Sequence, residues 1–365
     1  MQISGVTIQG GMNIQPAGGS PSPSPAPGAS NFGYVSGGSY TNVIQKFSFS
    51  SDGNSTDVGD LTQARNGAGA SSSVSGYTSG GYSPASSSAT NIIDKFSFSS
   101  DGNATDVGDL LSDLQATGGG NSSADNGYVA GGNLGAPAYS QSPTIQKFSF
   151  SADSNATDVG DLTIAVQTSA GQNSSISGYT SGGVSPSGSP ADINTIQKFA
   201  FASDGNGSDV GDLLRTRMWM AGGQNSTTHG YVSGGTQDPP YLAEIEKFPF
   251  ASDSNSTAVG DITNAEAFQT GQSSATHGYV SGGNSPGTII DKFAFASDAN
   301  ATRVGTLSDN QTSAAGTSST ENGYIAGAQP HISSSINSFS FTSDGNASSV
   351  GSLSQIRNYC RGHQY

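Results

Sequence analysis

The stretch GYVSGGNSPGTIIDKFAFASDANATRVGTL at residues 278–307 contains the pattern that decides the fold. It opens with a Gly-Tyr pair, continues with Phe-x-Phe, and ends with an Asp-x-Asn-x-Thr segment and a Val-Gly pair. Fourteen of the sixteen Phe residues in the chain lie in such Phe-x-Phe pairs. A pattern that recurs every 43 to 52 residues predicts one array of similar units. Seven Gly-Tyr pairs mark the repeats, starting at Gly33, Gly76, Gly127, Gly178, Gly230, Gly278 and Gly323.

Each repeat is predicted to form four short strands. In the second repeat they cover a run of small residues at 67–72, the Gly-Tyr segment from Gly76, and residues 92–98 and 105–110. An Asp-Gly-Asn turn or a close variant separates the third strand from the fourth, as in tight hairpins. Four strands in a unit of this length are typical of a propeller blade. The sequence therefore predicts an all-β fold, a seven-bladed β-propeller over residues 33–365, with blades that start near residues 33, 76, 127, 178, 230, 278 and 323.

The two ends of the array are predicted to meet. The first repeat begins at its second strand, and the segment from Arg357 to the C-terminus matches the first-strand position of the second repeat near Arg65. An open sheet edge invites pairing with other chains, and sharing strands between the chain ends removes that edge. We therefore expect the C-terminal strand to close the first blade.

Two motifs resemble known propeller families. A double glycine ends the second strand in six repeats, and in the seventh Gly327 is followed by Ala328. This pattern resembles the kelch repeat over residues 33–365, which implies a propeller. The Ser-x-Asp-x-Asn-x-Thr segment at residues 50–56 also resembles the Asp-box of sialidase-type propellers, which in that family is a structural turn. The double glycines start at Gly37, Gly80, Gly131, Gly182, Gly234 and Gly282.

The first 32 residues differ from the repeats. Residues 1–15 alternate apolar and polar positions, as in a strand, and residues 16–32 form a linker rich in Pro, Ser and Gly. The arm at 1–15 resembles the short N-termini of structural proteins of marine tailed phages, which implies docking to phage structural proteins. No signal peptide and no apolar stretch long enough for membrane insertion is visible. A net charge of −15 argues against nucleic acid and against anionic membranes as partners.

These features predict a non-enzymatic structural or appendage protein of a tailed phage virion, such as a tail fibre, a capsid decoration or a host-recognition propeller. The alternative is a propeller enzyme that acts on glycans, either a glycoside hydrolase or a galactose-oxidase-like protein. The single cysteine, Cys360, and the four glutamates leave few groups for either chemistry, although a pair of aspartates could still serve glycoside hydrolysis. We therefore predict no catalytic residue, no cofactor and no metal.

Three repeated polar features are predicted to be structural. Six lysines share one repeat position, starting with Lys46, and are expected to pair across strands with the fourth-strand aspartates Asp60, Asp109, Asp161, Asp212 and Asp261. Asn-x-Ser/Thr sequons recur in all seven turns, where Asn54 and its counterparts suit a tight turn. The same turns partly match a calcium loop, but they lack its distal glutamate.

The ligand-binding surface is predicted from loop variation. Loops between second and third strands and segments between repeats are expected at one face, where a host glycan or protein would bind. The segment between the fourth and fifth repeats contains the only Trp among arginines and methionines, and such aromatics suit sugar stacking or a protein hot spot. The alternative is that Trp219 packs between blades. The candidate contact residues are Arg215, Arg217, Trp219, Phe268, Tyr82, Tyr139 and Tyr241.

Overall fold

The computed structural model describes residues 31–38, 41–83, 88–135, 140–185, 192–237, 240–328, 333–357 and 359–363. These residues form 27 β-strands and no helix, so the fold is all-β. It follows that the described part of the chain contains no helix long and apolar enough to cross a membrane. The predicted arm at 1–15 and almost all of the linker at 16–32 lie outside the described residues.

The first ten strands in chain order are β1 (Phe32–Ser36), β2 (Val43–Ser48), β3 (Thr56–Asp60), β4 (Asn66–Ser71), β5 (Ser75–Ser83), β6 (Ser88–Ser97), β7 (Thr105–Ser122), β8 (Asn126–Leu134), β9 (Thr144–Ser149) and β10 (Thr157–Asp161). The next eight are β11 (Ala170–Asn173), β12 (Ser177–Val184), β13 (Asp192–Ala200), β14 (Ser208–Asp212), β15 (Ala221–Asn225), β16 (His229–Ser233), β17 (Glu244–Pro249) and β18 (Thr257–Asp261). The last nine are β19 (Thr270–Ser273), β20 (His277–Ser281), β21 (Ile289–Ala294), β22 (Thr302–Thr306), β23 (Ala315–Ser318), β24 (Asn322–Ala326), β25 (Ser335–Ser340), β26 (Ser348–Ser352) and β27 (Arg361–His363).

The strands form antiparallel sheets with the predicted order within each repeat. Five sheets have four strands, and one has seven because β7 pairs with β6 through its first half and with β8 through its second half. We number the repeats 1 to 7 by their Gly-Tyr pairs, so that repeats 2 and 3 share β7. In repeat 1 the sheet order is β27-β1-β2-β3, with Tyr34 opposite His363. The prediction that the C-terminal segment supplies the first strand of this sheet is confirmed.

Each Gly-Tyr pair packs against two Phe-x-Phe pairs. A Cβ atom at Gly33 would lie 2.5 Å from Cζ of Phe47 in the same repeat, so only glycine leaves room for that ring. The Tyr34 ring packs 4.8 Å from the Phe98 ring of repeat 2, and its hydroxyl donates to the Phe98 carbonyl at 2.9 Å. Burial raises the pKa of Tyr34 to about 12. The tyrosines of all seven Gly-Tyr pairs make this bond to the next repeat, and Tyr324 of repeat 7 makes it to Phe49 of repeat 1.

The sequon asparagines hold neighbouring repeats together. In repeat 2, Oδ1 of Asn103 accepts from the N–H of Asp60 at 3.1 Å, and the N–H of Ala104 donates to the Asp60 carbonyl at 2.8 Å. Gly59 has a φ of +148°, and a side chain there would collide with the carbonyl of Gly102. The same asparagine bond recurs at all seven contacts between repeats, and Asn54 makes it to Ser352. The asparagine of each turn therefore connects two neighbouring repeats, a role that the sequence alone did not indicate.

The predicted lysine pairs were wrong. Lys46 bonds Asp101 in the turn of repeat 2 rather than Asp60 in its own repeat. Within the repeat, Lys46 lies opposite Thr56, while Asp60 lies opposite Val43, three residues farther along the strand. That offset is about 10 Å at the rise of a β-strand, too far for an ion pair. The other five lysines also reach the next repeat, in the pairs Lys95–Asp153, Lys147–Asp204, Lys198–Asp253, Lys247–Asp298 and Lys292–Asp344.

The first strands of the repeats contact one another in sequence order. The contacts run from β4 through β7, β11, β15, β19 and β23 to β27, and β27 in turn contacts β4. Long polar side chains of these strands also bond the next repeat. Nε2 of Gln172 donates to the carbonyl of Tyr231 at 3.3 Å, and Nε2 of Gln224 donates to the carbonyl of Tyr279 at 3.0 Å. At the equivalent position in β27, His363 Nδ1 lies 3.2 Å from the carbonyl of Ala70. The series of contacts therefore returns to its starting strand.

The buried His363 predicts a loss of stability in mild acid. Burial lowers its pKa from 6.5 to about 4, so between these values the unfolded chain binds a proton that the folded chain does not. The free energy of unfolding should therefore fall as pH falls, by about 2 kcal/mol from pH 7 to pH 5. Urea unfolding at both pH values would measure this fall.

The control is His363→Gln, because glutamine occupies this position at Gln172, Gln224 and Gln272. We expect the variant to lose this part of the pH dependence, since the other titrating groups are unchanged. An identical pH dependence in both proteins would contradict the assignment.

Candidate functional site

The loops predicted to form the ligand face do lie together. In repeat 1 the N–H of Gly38, at the start of the loop between β1 and β2, donates to the carbonyl of Arg65 in the segment that leads to repeat 2, at 3.0 Å. We call this end of the molecule the loop end. The same bond joins the two kinds of loop elsewhere, in the pairs Gly132–Val166, Gly183–Arg217, Gly235–Glu266, Gly283–Gln311 and Ala328–Arg357.

Arg217 lies inside the protein rather than on its surface. Its side chain is fully buried, it forms an ion pair with the buried Glu246, and it donates to the carbonyls of Gly234 and Glu244 at 3.0 and 3.2 Å. Burial lowers the pKa of its guanidinium. The prediction that Arg217 contacts a ligand is therefore corrected, because a guanidinium committed to a buried carboxylate and two carbonyls cannot reach one.

Arg217 belongs to a buried pair of side chains that varies between repeats. The first member is the residue whose backbone carbonyl accepts the N–H of the double-glycine loop, as Arg65 does from Gly38. The second member is the residue just before the repeated lysine on the third strand, as Asp94 is before Lys95. Repeat 2 contains Arg65 and Asp94, which form a fully buried ion pair at 2.7 Å. The other pairs are Val166 with Gln197 in repeat 4, Arg217 with Glu246 in repeat 5, Glu266 with Asp291 in repeat 6, Gln311 with Asn337 in repeat 7 and Arg357 with Gln45 in repeat 1.

Trp219 and Phe268 form a stacked pair at the loop end. Their ring centroids are 4.8 Å apart with an angle of 26° between the planes, and the N–H of Phe268 donates to the carbonyl of Trp219 at 3.0 Å. Trp219 is 37% exposed, although Phe268 covers one face of the indole. More than a third of the surface of Trp219 therefore remains accessible to a ligand beside the stack.

Five residues of the segments between repeats adopt left-handed backbone conformations. Trp219 has a φ of +52° and Phe268 a φ of +60°, and the equivalent positions are Thr168, Ser313 and Tyr359. Hydrogen bonds from N–H to carbonyl connect four of them in order, from Tyr359 to Ser313, to Phe268 and to Trp219. Left-handed residues other than glycine cost about 1–2 kcal/mol each. The chain has 52 glycines but places none at these five positions, so the side chains are retained in spite of the strain.

Two more predicted residues lie near the aromatic pair. Tyr241 is 49% exposed, and its hydroxyl accepts from Nδ2 of Asn284 at 2.9 Å. Tyr241 forms an isolated antiparallel β-bridge with Thr236. Thr236 forms a second β-bridge with Met218, the residue before Trp219. Asn284 carries no signal in the sequence, because no repeat pattern distinguishes it from other loop asparagines. Arg215 is half exposed and pairs with Glu244 at 2.9 Å.

The remaining predicted contact residues, Tyr82 and Tyr139, are not connected to the group of Trp219, Phe268 and Tyr241 by any contact between described residues. Tyr82 lies in β5 of repeat 2, where its N–H donates to Oδ1 of Asn66 at 2.9 Å. Tyr139 lies outside the described residues. The site therefore contains Trp219, Phe268 and Tyr241, and Arg215 belongs to the segment that leads to Trp219.

The groups considered for chemistry are engaged elsewhere. Cys360 is buried, and burial raises the pKa of its thiol. Nδ1 of His229 lies 2.8 Å from Oγ1 of Thr228, and burial lowers the pKa of its imidazole. Among the residues that the structure describes, no group of three or more His, Cys, Asp and Glu side chains is placed to hold a metal ion. The turns are also committed, because Oδ1 of Asp101 bonds a lysine and Oδ1 of Asn103 bonds a backbone N–H.

No protein-family model matches the chain, and no curated protein sequence matches it significantly.

Proposed function

We propose that the seven repeats form a closed seven-bladed propeller of the kelch-like kind. The support is that the contacts between first strands return from β27 to β4. In addition, the bonds that join each repeat to the next also join repeat 7 to repeat 1, through Tyr324 with Phe49 and Asn54 with Ser352. A closed ring leaves only short, protected sheet edges, which suits a particle-bound protein that must resist aggregation.

We further propose that this propeller binds a surface glycan of a host cell through its loop end, without catalysis. The observation that carries the proposal is the stacked pair of Trp219 and Phe268, in which Trp219 is 37% exposed. The left-handed conformation recurs at Thr168, Ser313 and Tyr359, so it belongs to the repeat, and the feature that distinguishes this corner is its two stacked aromatic rings. A sugar ring would stack on the exposed part of the indole, while the Tyr241 hydroxyl and the Asn284 amide would bond its hydroxyl groups.

The virion setting is supported by the sequence. The N-terminal residues 1–15 resemble the arms of tailed-phage structural proteins, and a Pro-rich linker would separate such an arm from the propeller. In this proposal the arm docks on other phage structural proteins and the propeller is displayed outward as a fibre, decoration or host-recognition module. The net charge of −15 keeps the displayed domain away from nucleic acid.

The rival function is a glycan-processing propeller enzyme. Incubation of the purified protein with bacterial surface polysaccharides, followed by size analysis of the products, separates the two functions. Binding with no change in chain length or oxidation state supports the proposal. Depolymerised or oxidised products would favour the enzyme.

Trp219→Gly tests the binding site. Glycine removes the stacking surface but relieves the left-handed strain, so a gain of about 1–2 kcal/mol offsets the lost packing. We expect binding to an array of purified bacterial surface polysaccharides to fall at least tenfold, with a melting temperature within a few degrees of the parent protein. A calorimetric melt and the array measure the two quantities.

Thr168→Gly is the matched control, because it relieves the same strain in repeat 4 without removing an aromatic ring. It should retain binding. Unchanged binding of Trp219→Gly, together with a large loss of stability, would instead make Trp219 a packing residue.

A further inference from the structure

A pocket of about 300 Å³ lies at the Asp-Gly-Asn turn of repeat 2, at the other end of the strands from the loop end. Its walls include Ser75, the first residue of β5, and Lys95 and Ser97 of β6. Asp101 and Asp153, from the turns of repeats 2 and 3, also line it. Small-molecule sites have volumes of about 300–1,000 Å³. A pocket at the lower end of this range suits a ligand of the size of one sugar residue.

The small side chain of Ser75 leaves this pocket open. Ser75 directly precedes a Gly-Tyr pair, and in repeat 1 the Phe32 ring at that position lies 5.1 Å from Nζ of Lys46. In repeat 5, burial lowers the pKa of His229 at the same position, and the nearby charge of Lys247 lowers it further. In these repeats a flat ring therefore occupies the space beside the lysine. Five repeats in all have a larger residue than serine here, namely Phe32, Asn126, His229, His277 and Asn322.

The charged groups at the pocket are already paired. Nζ of Lys95 lies 2.8 Å from Oδ1 of Asp153, and Oδ1 of Asp101 bonds Lys46. A charged ligand would compete with one of these pairs, whereas a neutral ligand leaves both intact. The side chains of the two aspartates are more than half exposed, so their carboxylates remain accessible. Together with the serine hydroxyls they can bond a ligand that is rich in hydroxyl groups.

An exposed apolar side chain lies next to the same pocket. Val74 directly precedes Ser75 and is 62% exposed, and in repeat 4 Ile176 precedes Ser177 and is 66% exposed. These are the two most exposed large apolar side chains among the described residues. Repeat 4 has Ala200 in place of the third-strand serine, so its copy lacks one hydroxyl group. The repeats that have a larger residue before Gly-Tyr place a polar one before it, namely Asn31, Asp125, Thr228, Thr276 and Glu321.

We propose that the pocket beside Ser75 binds one neutral sugar residue, at a site separate from the one at the loop end. The sugar ring would take the place that the Phe32 ring takes in repeat 1. Its apolar face would contact Val74, and its hydroxyl groups would bond the carboxylates of Asp101 and Asp153. The small serine and the exposed apolar residue occur together because each serves the same ligand.

The test is calorimetric titration of the full-length protein with the methyl glycosides of glucose, galactose, mannose and N-acetylglucosamine. We expect saturable binding of at least one of them, and at least tenfold weaker binding of glucuronic acid and glucosamine. Ser75→His copies repeats 5 and 6, so it should fold and should weaken the binding at least tenfold. The matched control Asn126→His introduces the same imidazole at a position that is already filled, and it should bind like the full-length protein.

A second variant, Ser75→Phe, copies repeat 1 and keeps the test informative if Ser75→His folds poorly. The proposal is overturned if none of the four glycosides binds, or if a folded variant of Ser75 binds them like the full-length protein. Equally tight binding of glucuronic acid and of the best neutral sugar would overturn it as well. The outcome is separate from that of the proposed function, because the site at the loop end is tested by Trp219→Gly.

Discussion

A chain that ends at Ser354 is expected to lose more than about 4 kcal/mol of stability and to aggregate, because it lacks the strand that completes the sheet of repeat 1. The truncation removes β27, whose Arg361–His363 pair with β1, and it exposes the edge of β1. It also removes Arg357, whose Nη1 donates to the carbonyls of Gly37 and Val43 at 3.1 and 2.8 Å. An exposed strand edge pairs readily with other chains. Thermal melting and light scattering would measure both effects.

The missing segment can be supplied separately as a control. A synthetic peptide of residues 355–365 should restore the melting temperature of the truncated protein, whereas a peptide of the same composition in scrambled order should not. If the truncated protein melts like the full-length protein and stays monodisperse, β27 contributes no closure.

Arg217→Val is expected to destabilise the protein by about 3–5 kcal/mol, because it leaves the buried Glu246 without its cation. Glu246 keeps only neutral donors, the N–H of Leu214 at 2.7 Å and the hydroxyl of Ser256 at 2.5 Å. Urea unfolding would measure the loss.

The chain itself contains the rescue for this variant. Repeat 4 has Val166 and Gln197 at the same two positions, so this pair contains neither an arginine nor an acid. Oε1 of Gln197 accepts instead from the N–H of Ile164 at 2.9 Å. The double variant Arg217→Val, Glu246→Gln therefore recreates the pair of repeat 4 and should recover most of the lost stability. Equal losses in the single and the double variant would show that the cost lies in packing around Arg217 and not in the stranded charge.

Much of the fold could be predicted because each repeat contains motifs that mark where its strands begin and end. Gly-Tyr, Phe-x-Phe and the Asp-x-Asn turn recur together, so the strands between them could be placed in every copy. The match of Arg357 with Arg65 indicated that β27 begins a repeat. The long strand β7 was not predicted, since nothing in residues 105–122 indicates that two repeats share one continuous strand.

The candidate site was predictable only in part. Trp219 stood out as the single Trp, and Phe268 by its equivalent position. Their left-handed backbones, by contrast, result from the bonds between neighbouring segments. Asn284 gave no sequence signal, because it acts through a contact with Tyr241 in a different repeat.

Sequence by itself determined the strands and the turns, since these depend on residues close together in the chain. The closing strand was indicated by the match of Arg357 with Arg65, although its partner β1 lies near the other end of the array. Tertiary structure decided which copy each side chain meets. Lys46 could pair with any of several similar aspartates, and only the offset of Asp60 along the strand and the approach of Asp101 from repeat 2 select its partner. Arg215 and Arg217 are two residues apart, yet one is half exposed and the other fully buried. Each pairs with a glutamate of β17, but Glu244 is partly exposed and Glu246 is fully buried. The burial of each arginine follows the position of its partner in the fold, which the local sequence does not record.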